Sequence, residues 1–199
     1  MVEPTTTNTL PPPPEPTAPA PSTAGRLTSR SLPVPAGWRR VARPGGAEEG
    51  YVGNGTWVHA RDPRYAAQDA ISIGCADVTR DDYPDPKAAL EGNYRSRDGQ
   101  PGIGLALDFG TPEQANDFLT VYRRQVVACT DPEGPVLVRL LPTSTGLADH
   151  RTYPDGSWTE VAATHDRRVT LVILSDPEHR MDRGAAEQLL RRIAAVAGR

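Results

Sequence analysis

The sequence has few of the residue patterns that usually carry chemistry. It holds 2 cysteines and 4 histidines in 199 residues. No CxxC, HExxH or Gly-x-Ser-x-Gly motif is present, and four aspartates in Asp77–Asp85 lack the order of a calcium loop. The glycine-rich stretch Gly102–Leu107 precedes its predicted strand, whereas a dinucleotide-binding turn follows one, so its glycines are predicted to form a turn. We therefore expect no cofactor, no metal and no catalytic residue, and we do not expect an enzyme.

Strong net charge and long apolar runs are also absent. The formal net charge is −3, which gives no electrostatic reason to expect a nucleic-acid partner. No stretch approaches 18 apolar residues, so we expect no membrane span in this chain. No signal peptide or lipid-attachment cysteine precedes the proline-rich stretch. Either an export signal has been removed, or the protein is cytoplasmic.

Proline is concentrated at the N-terminus. Residues 1–36 hold 10 of the 21 prolines, mixed with threonine, alanine and serine. Such a segment cannot bury enough apolar surface to offset the entropy lost on ordering. We predict a disordered stalk or linker over residues 1–30 and a single domain over residues 31–199. An ordinary linker and a proline-rich ligand for aromatic grooves remain alternatives to a cell-surface stalk.

Residues 111–129 predict an amphipathic helix that ends on a cysteine. Thr111 is suited to cap its N-terminus, and Pro112 suits the first helical position. One face collects the apolar side chains Ala115, Phe118, Leu119, Tyr122, Val126 and Cys129. The other cysteine, Cys75, lies in Ala70–Asp77, whose alternation predicts a strand with the thiol on its apolar face.

Both cysteines are thus predicted to face a core. Two buried free thiols would account for this pattern, since free cysteine behaves as a small hydrophobe. A disulfide between Cys75 and Cys129 is the favoured alternative, and it would require an oxidising compartment. Together with the proline-rich stretch, it favours an extracytoplasmic location over a cytoplasmic one.

The remaining pattern predicts an α+β fold. Strands are predicted over the ranges Tyr51–Ala60, Ile103–Phe109, Val136–Leu141, Leu147–Tyr153, Ser157–Thr164 and Arg168–Leu174. A short helix is predicted from Asp85 to Tyr94, and Asp182 is suited to cap a final helix. The late strands are joined by short turns, which indicates an antiparallel sheet. We expect helices to cover one face of that sheet.

The order of these elements resembles small extracytoplasmic domains of actinobacteria. It comprises the stalk, LPVPAGW, a strand cysteine, the helix ending QVVAC and a strand meander that includes VTLVIL. Those domains include lipoproteins and the sensor domains of membrane serine/threonine kinases. The resemblance implies an α+β sandwich with a cleft and a structural disulfide, and it implies no catalytic residues. This chain departs from the kinase sensors in having two cysteines where a second disulfide would be expected.

Aromatic and basic side chains supply the candidate binding residues. Trp57, His59 and Arg61 alternate, which predicts that they share one face of a strand. Trp158 follows a predicted turn at Pro154–Gly156, and tryptophan is common at ligand grooves. Core packing is the alternative role for both tryptophans.

Two functions fit these patterns. The first is an extracytoplasmic ligand-binding or sensor-like module for a small molecule. The second is a non-catalytic cell-envelope interaction or structural protein, whose partner would be another envelope protein. We expect a monomer in either case.

Overall fold

A computed structural model of the chain describes residues 24–42, 57–71 and 79–197. These residues form eight strands and three α-helices. The strands are β1 Trp38–Arg40, β2 Val58–Arg61, β3 Ala88–Ser96, β4 Pro101–Asp108, β5 Leu137–Leu140, β6 Leu147–Tyr153, β7 Gly156–His165 and β8 Arg168–Ser175. The helices are α1 Pro63–Ile71, α2 Pro112–Val127 and α3 Arg183–Ala197.

All eight strands belong to one antiparallel sheet. Its order is β1-β3-β4-β8-β7-β6-β5, and β2 pairs with β3 beside β1. The last strand in the chain, β8, lies between β4 and β7, so it joins an early half-sheet to a late one. β8 is nearly continuous apolar sequence because both of its faces are covered. The predicted α+β class with an antiparallel sheet is confirmed.

The helices lie on both faces of this sheet. α1 and α2 cover one face, where Phe118 and Tyr122 pack against Leu105, Leu171 and other strand residues. α3 covers the opposite face through Ala186, Leu189, Leu190 and Ile193. We expected the helices to cover one face of the sheet. α1 and α2 do share a face, but α3 lies on the other one. Two-sided cover follows from β8, whose apolar residues face both ways and need a partner on each side.

The first described residues of the chain pack against the sheet. Leu27 and Leu32 are buried against Leu90 and Ala106, on the face that carries α3. The Nη1 atom of Arg192 in α3 donates to the carbonyl of Val34 at 2.8 Å, which holds this segment beside the helix. Residues before 31 thus contact the sheet, and the boundary at residue 31 stays a prediction. Residues 1–23 lie outside the described part, so the disordered stalk stays a prediction.

Several predicted elements are confirmed. Thr111 caps α2, with its hydroxyl accepting from the backbone N–H of Gln114. In the same way Asp182 caps α3 by accepting from the backbone N–H of Ala185 at 2.8 Å. The predicted apolar face of α2 is buried or half-buried throughout. β4 to β8 lie within one or two residues of their predicted ranges, and Pro154 and Asp155 form the turn between β6 and β7.

Two predicted elements and the start of a third, the strand Ala70–Asp77, are wrong; residues 72–77 of that strand lie outside the described residues. Ala70 and Ile71 end helix α1 and do not begin a strand. The helix predicted from Asp85 to Tyr94 is strand β3, whose residues pair with β4, β1 and β2. Gly104 does not form a turn but lies inside β4, where the ring of Tyr94 occupies the space that a Cβ would fill.

Cys129 follows α2 and is buried in the core between α2 and the sheet. Its sulfur lies 3.5 Å from the carbonyl oxygen of Gln125. Cys75 lies outside the described residues, so the Cys75–Cys129 disulfide stays a prediction. None of the three described helices is long and apolar enough to cross a bilayer.

Candidate functional site

A cleft of about 430 Å³ opens on the face that carries α1 and α2. It lies at the end of the sheet where β4 and β7 begin and β6 and β8 end. The end of α1 forms one side. The lining residues are Asp69, Ala70, Pro101, Gly102, Ile103, Arg151, Tyr153, Asp155, Trp158, Glu160 and Ile173.

The strand register builds this cleft. Ile103, Ile173, Glu160 and Asp149 are successive cross-strand partners on β4, β8, β7 and β6. The row therefore passes from apolar side chains on one side to carboxylates on the other. The tight turn at Pro154 and Asp155 places Arg151 directly opposite Trp158. Trp158 is half-buried and contributes an aromatic wall.

A buried charged cluster forms the polar side of the cleft. The Nε atom of Arg151 donates to Asp149 Oδ1 at 2.7 Å, and its Nη2 lies 3.2 Å from Glu160 Oε1. Nη2 of Arg151 also donates to the hydroxyl oxygen of Tyr122 at 2.9 Å, and that hydroxyl donates to Glu160 Oε1. Each of the four residues is at most 5% exposed. Charges this well buried are held by mutual pairing.

Burial sets the protonation of this cluster. Desolvation raises the pKa of Glu160 to about 7, although Arg151 acts in the opposite direction and Asp149 adds to the rise. Desolvation alone would lower the pKa of Arg151, but Glu160, Tyr122 and Asp149 raise it well above its usual value. Arg151 therefore stays charged, and Glu160 changes charge close to neutral pH.

A second ion-pair cluster supports the rim of the cleft. Arg61 donates through Nη1 to Glu91 and through Nη2 to Asp69, each at 2.6 Å. The Nε2 atom of His59 lies 3.6 Å from Glu91. Asp69 lines the cleft and leaves 65% of its side chain exposed. Arg61 thus fixes a carboxylate at the mouth, while His59 is buried behind it.

The four candidate binding residues are therefore placed differently. Trp158 lines the cleft. Arg61 does not line it but donates a hydrogen bond to Asp69, which does. Trp57 precedes β2 and packs over Gly92 and Tyr94 on the opposite face of the sheet. The prediction that Trp57, His59 and Arg61 share one strand face is wrong for Trp57, because the strand begins only at Val58. Ligand binding by these residues stays a prediction.

Sequence reasoning missed Glu160, Arg151 and Tyr122. One usable signal was present. Trp158 and Glu160 share a strand face by alternation, and the turn at Pro154–Gly156 fixes which β6 residue lies opposite each of them. The hydrogen bond from α2 to the cluster has no comparable signal, because Tyr122 reads as an ordinary core position.

Another polar cluster lies on the α3 side of the sheet. Thr159 donates to Asp176 at 2.7 Å, and the Nδ1 atom of His150 lies 2.7 Å from the same hydroxyl oxygen. The rings of His150 and His179 stack with centroids 4.5 Å apart. Burial lowers the pKa of His150, and His179 adds to this effect. Within residues 24–42, 57–71 and 79–197, no group of three His, Cys, Asp or Glu side chains could hold a metal ion.

Comparisons with known proteins were made by sequence and by structure. No protein-family model matches the chain, and no curated protein matches its sequence. The extracellular domain of PknH from Mycobacterium tuberculosis is similar in structure, with 10% sequence identity, a TM-score of 0.45, and coverage of 81% of this chain and 82% of that chain. This similarity assigns no ligand or residue.

Proposed function

We propose that the chain is an extracytoplasmic ligand-binding module, sensor-like and non-enzymatic, whose small-molecule ligand occupies the cleft beside Trp158. The observation that carries the proposal is the composition of this cleft. Apolar and aromatic walls face a few fixed polar groups, which is the usual construction of a small-molecule site. Its volume of about 430 Å³ falls in the usual range for such sites.

The polar groups of the cleft are pre-organised. Arg151 and Glu160 are held by Tyr122 and Asp149, so they do not need to be ordered when a ligand arrives. Asp69 is fixed at the rim by Arg61. A site whose polar groups are already held loses less entropy on binding, which supports recognition over a merely structural role for these charges.

A fragment screen by thermal shift tests this function. Fragments that bind the cleft should raise the melting temperature of the wild type. At a fragment concentration of 100 times Kd, binding adds about 2.7 kcal/mol to the free energy of unfolding. Ile103→Trp should fill the cleft and abolish the shift. Leu140→Trp, which adds the same indole to an exposed position on β5, should leave the shift unchanged. Fragments that stabilise both variants equally would contradict binding in the cleft.

A second function is favoured by one observation. Val127 and Leu140 are exposed large apolar side chains that line a groove of about 280 Å³ at the end of α2. Exposed apolar surface of this kind suits a cell-envelope interaction protein. The second function would be favoured over the first by two results together. The fragment screen would find no ligand for the cleft, and Leu140→Asp would bind isolated cell envelopes more weakly than the wild type.

A further inference from the structure

One oxygen of the Glu160 carboxylate has no partner. Oε1 is bonded by Tyr122 and Arg151, whereas Oε2 has no hydrogen-bond partner among the described residues. Glu160 is 1% exposed, and it lines the cleft. A buried carboxylate oxygen without a donor is unfavourable, and native proteins rarely leave one without a reason.

The charges around the cleft leave a surplus of carboxylates. Glu160, Asp69 and Asp155 line it against a single basic residue, Arg151. Arg151 is already engaged, because it donates to Asp149 and to Tyr122. An anionic ligand would find no uncommitted positive partner there, whereas a positive charge would offset the surplus and supply the donor that Oε2 lacks.

The opposite side of the cleft is apolar. Ile103, Ile173, Pro101 and the ring of Trp158 form this side. A hydrocarbon or aromatic body fits against such a surface, and the face of a tryptophan also attracts a nearby cation. The two sides together suit one molecule with an apolar body and a positively charged end.

We infer that the cleft selects a small ligand carrying a protonated amine on an apolar body, with the ammonium group at Glu160 and the body against Trp158. This inference rests on the proposed function and specifies its ligand class. Oε2 is closed to water in the present structure. Contact between the ammonium group and Oε2 therefore requires side chains that line the cleft to move.

Three probes that share one phenyl ring and a two-carbon linker test the charge preference. They are phenethylamine, 2-phenylethanol and 3-phenylpropionate. Binding is followed by NMR through the indole N–H signals of the 3 tryptophans. Trp158→Phe assigns the signal in the cleft, and Trp57, on the opposite face, is the internal control. We expect phenethylamine to shift the Trp158 signal with an affinity about tenfold above that of the alcohol, and the carboxylate to bind weakest.

The pH dependence tests the role of Glu160. The charged and titratable groups that interact with Glu160 are Tyr122 on α2 and Asp149, Arg151 and Tyr153 on β6. Asp69 on α1 and Asp155 in the turn between β6 and β7 line the same cleft. Phenethylamine stays protonated from pH 6 to pH 8, so its affinity should rise across this range as Glu160 ionises. The affinity of the alcohol should stay constant. Glu160→Gln should remove both the rise and the preference for the amine while retaining binding of the alcohol.

Different results would overturn different conclusions. Equal binding of the amine and the alcohol at Trp158 would overturn the charge preference and leave the cleft as a ligand site. Tightest binding of the carboxylate would do the same. Binding of the amine that leaves the Trp158 signal unmoved would overturn the placement at Glu160. If none of the three probes binds and the fragment screen also finds no cleft ligand, the proposed function fails together with the inference.

Discussion

The buried charges on the polar side of the cleft carry a cost in stability. Removing Arg151, Asp149 and Glu160 from water brings a desolvation penalty, which in many buried ion pairs is as large as the mutual attraction. Apolar residues of similar volume at these positions would often make a domain more stable. Packing alone does not require charged residues at these positions. Their presence beside a cleft therefore suggests that they serve the function of the cleft.

The ionisation of Glu160 should be visible in the pH dependence of the free energy of unfolding. Its pKa is raised from 4.5 to about 7 in the folded state, so the folded protein holds this proton more tightly than the unfolded chain. Stability is then lost as pH rises from 4.5 to 7, by at most about 3 kcal/mol. Glu160→Gln carries no ionisable group there, so the wild type should lose stability relative to this variant between pH 5 and pH 8 in denaturant titrations.

An exposed glutamate gives the matched control. A hydrogen bond from Arg180 lowers the pKa of Glu178, so its contribution has the opposite sign and is lost as pH falls. Glu178→Gln should therefore change little between pH 5 and pH 8. A stability difference between Glu160→Gln and the wild type that is constant with pH would show that Glu160 does not titrate in this range.

At the scale of elements, local pattern succeeds where caps or turns mark the ends of an element. α2, α3 and the meander β6 to β8 have clear caps, turns or alternation, and they lie where the sequence places them. β3 fails because both faces of its first half are buried, so the stretch AALEG shows no alternation and its composition suits a helix. Only the pairing of β3 with strands on both sides decides its conformation.

The site could be predicted only in part. Trp158 was identifiable as an aromatic residue beside a turn. Arg151 and Glu160 look like the solvent-facing positions of alternating strands, yet α2 covers them and turns them into a buried cluster. The face of a strand that a helix covers depends on how the chain connects the two. The residues of the strand alone therefore do not predict it.

The N-terminal segment gives a prediction at this scale. A chain that starts at Ala24 should be as stable as the full chain, because it keeps Leu27 and the Thr28 cap of the short helical turn at Ser29–Ser31. A chain that starts at Ser31 should lose about 2 kcal/mol, the usual effect of exposing one buried leucine. Thermal or urea unfolding of the two truncated chains measures the difference.

Leu27→Ala in the full chain is the control for this comparison. It removes the same packing without shortening the chain, so it should reproduce most of the loss. Equal stability of the two truncated chains would place the start of the domain at residue 31, as the sequence alone predicts.

For the molecule as a whole, the two cysteines allow one disulfide bond within the chain. Cys129 is buried in the core, and a bond to Cys75 would close a loop of about 54 residues that spans β3, β4 and α2. Such a bond would hold the end of α2 to the part of the chain that follows α1 during unfolding.

Reduction should therefore destabilise the domain by about 2–4 kcal/mol. For a domain of this size the melting temperature should fall by about 2–4 °C for each kcal/mol. Cys129→Ala should lower it to a similar extent, and the double variant with Cys75→Ala should be insensitive to reductant. Two thiols that react with an alkylating agent in folded, oxidised protein would refute the bond and favour a cytoplasmic location.

The central position of β8 has a consequence for biosynthesis. Until residues 168–175 leave the ribosome, β4 and β7 each present an unpaired edge, and the strand that both require does not yet exist. Nascent chains of this protein must keep two incomplete half-sheets from pairing with each other or with neighbouring chains. A stop or frameshift just before β8 would remove only the final strand and α3. Its product would nevertheless carry two unpaired strand edges, which favour aggregation.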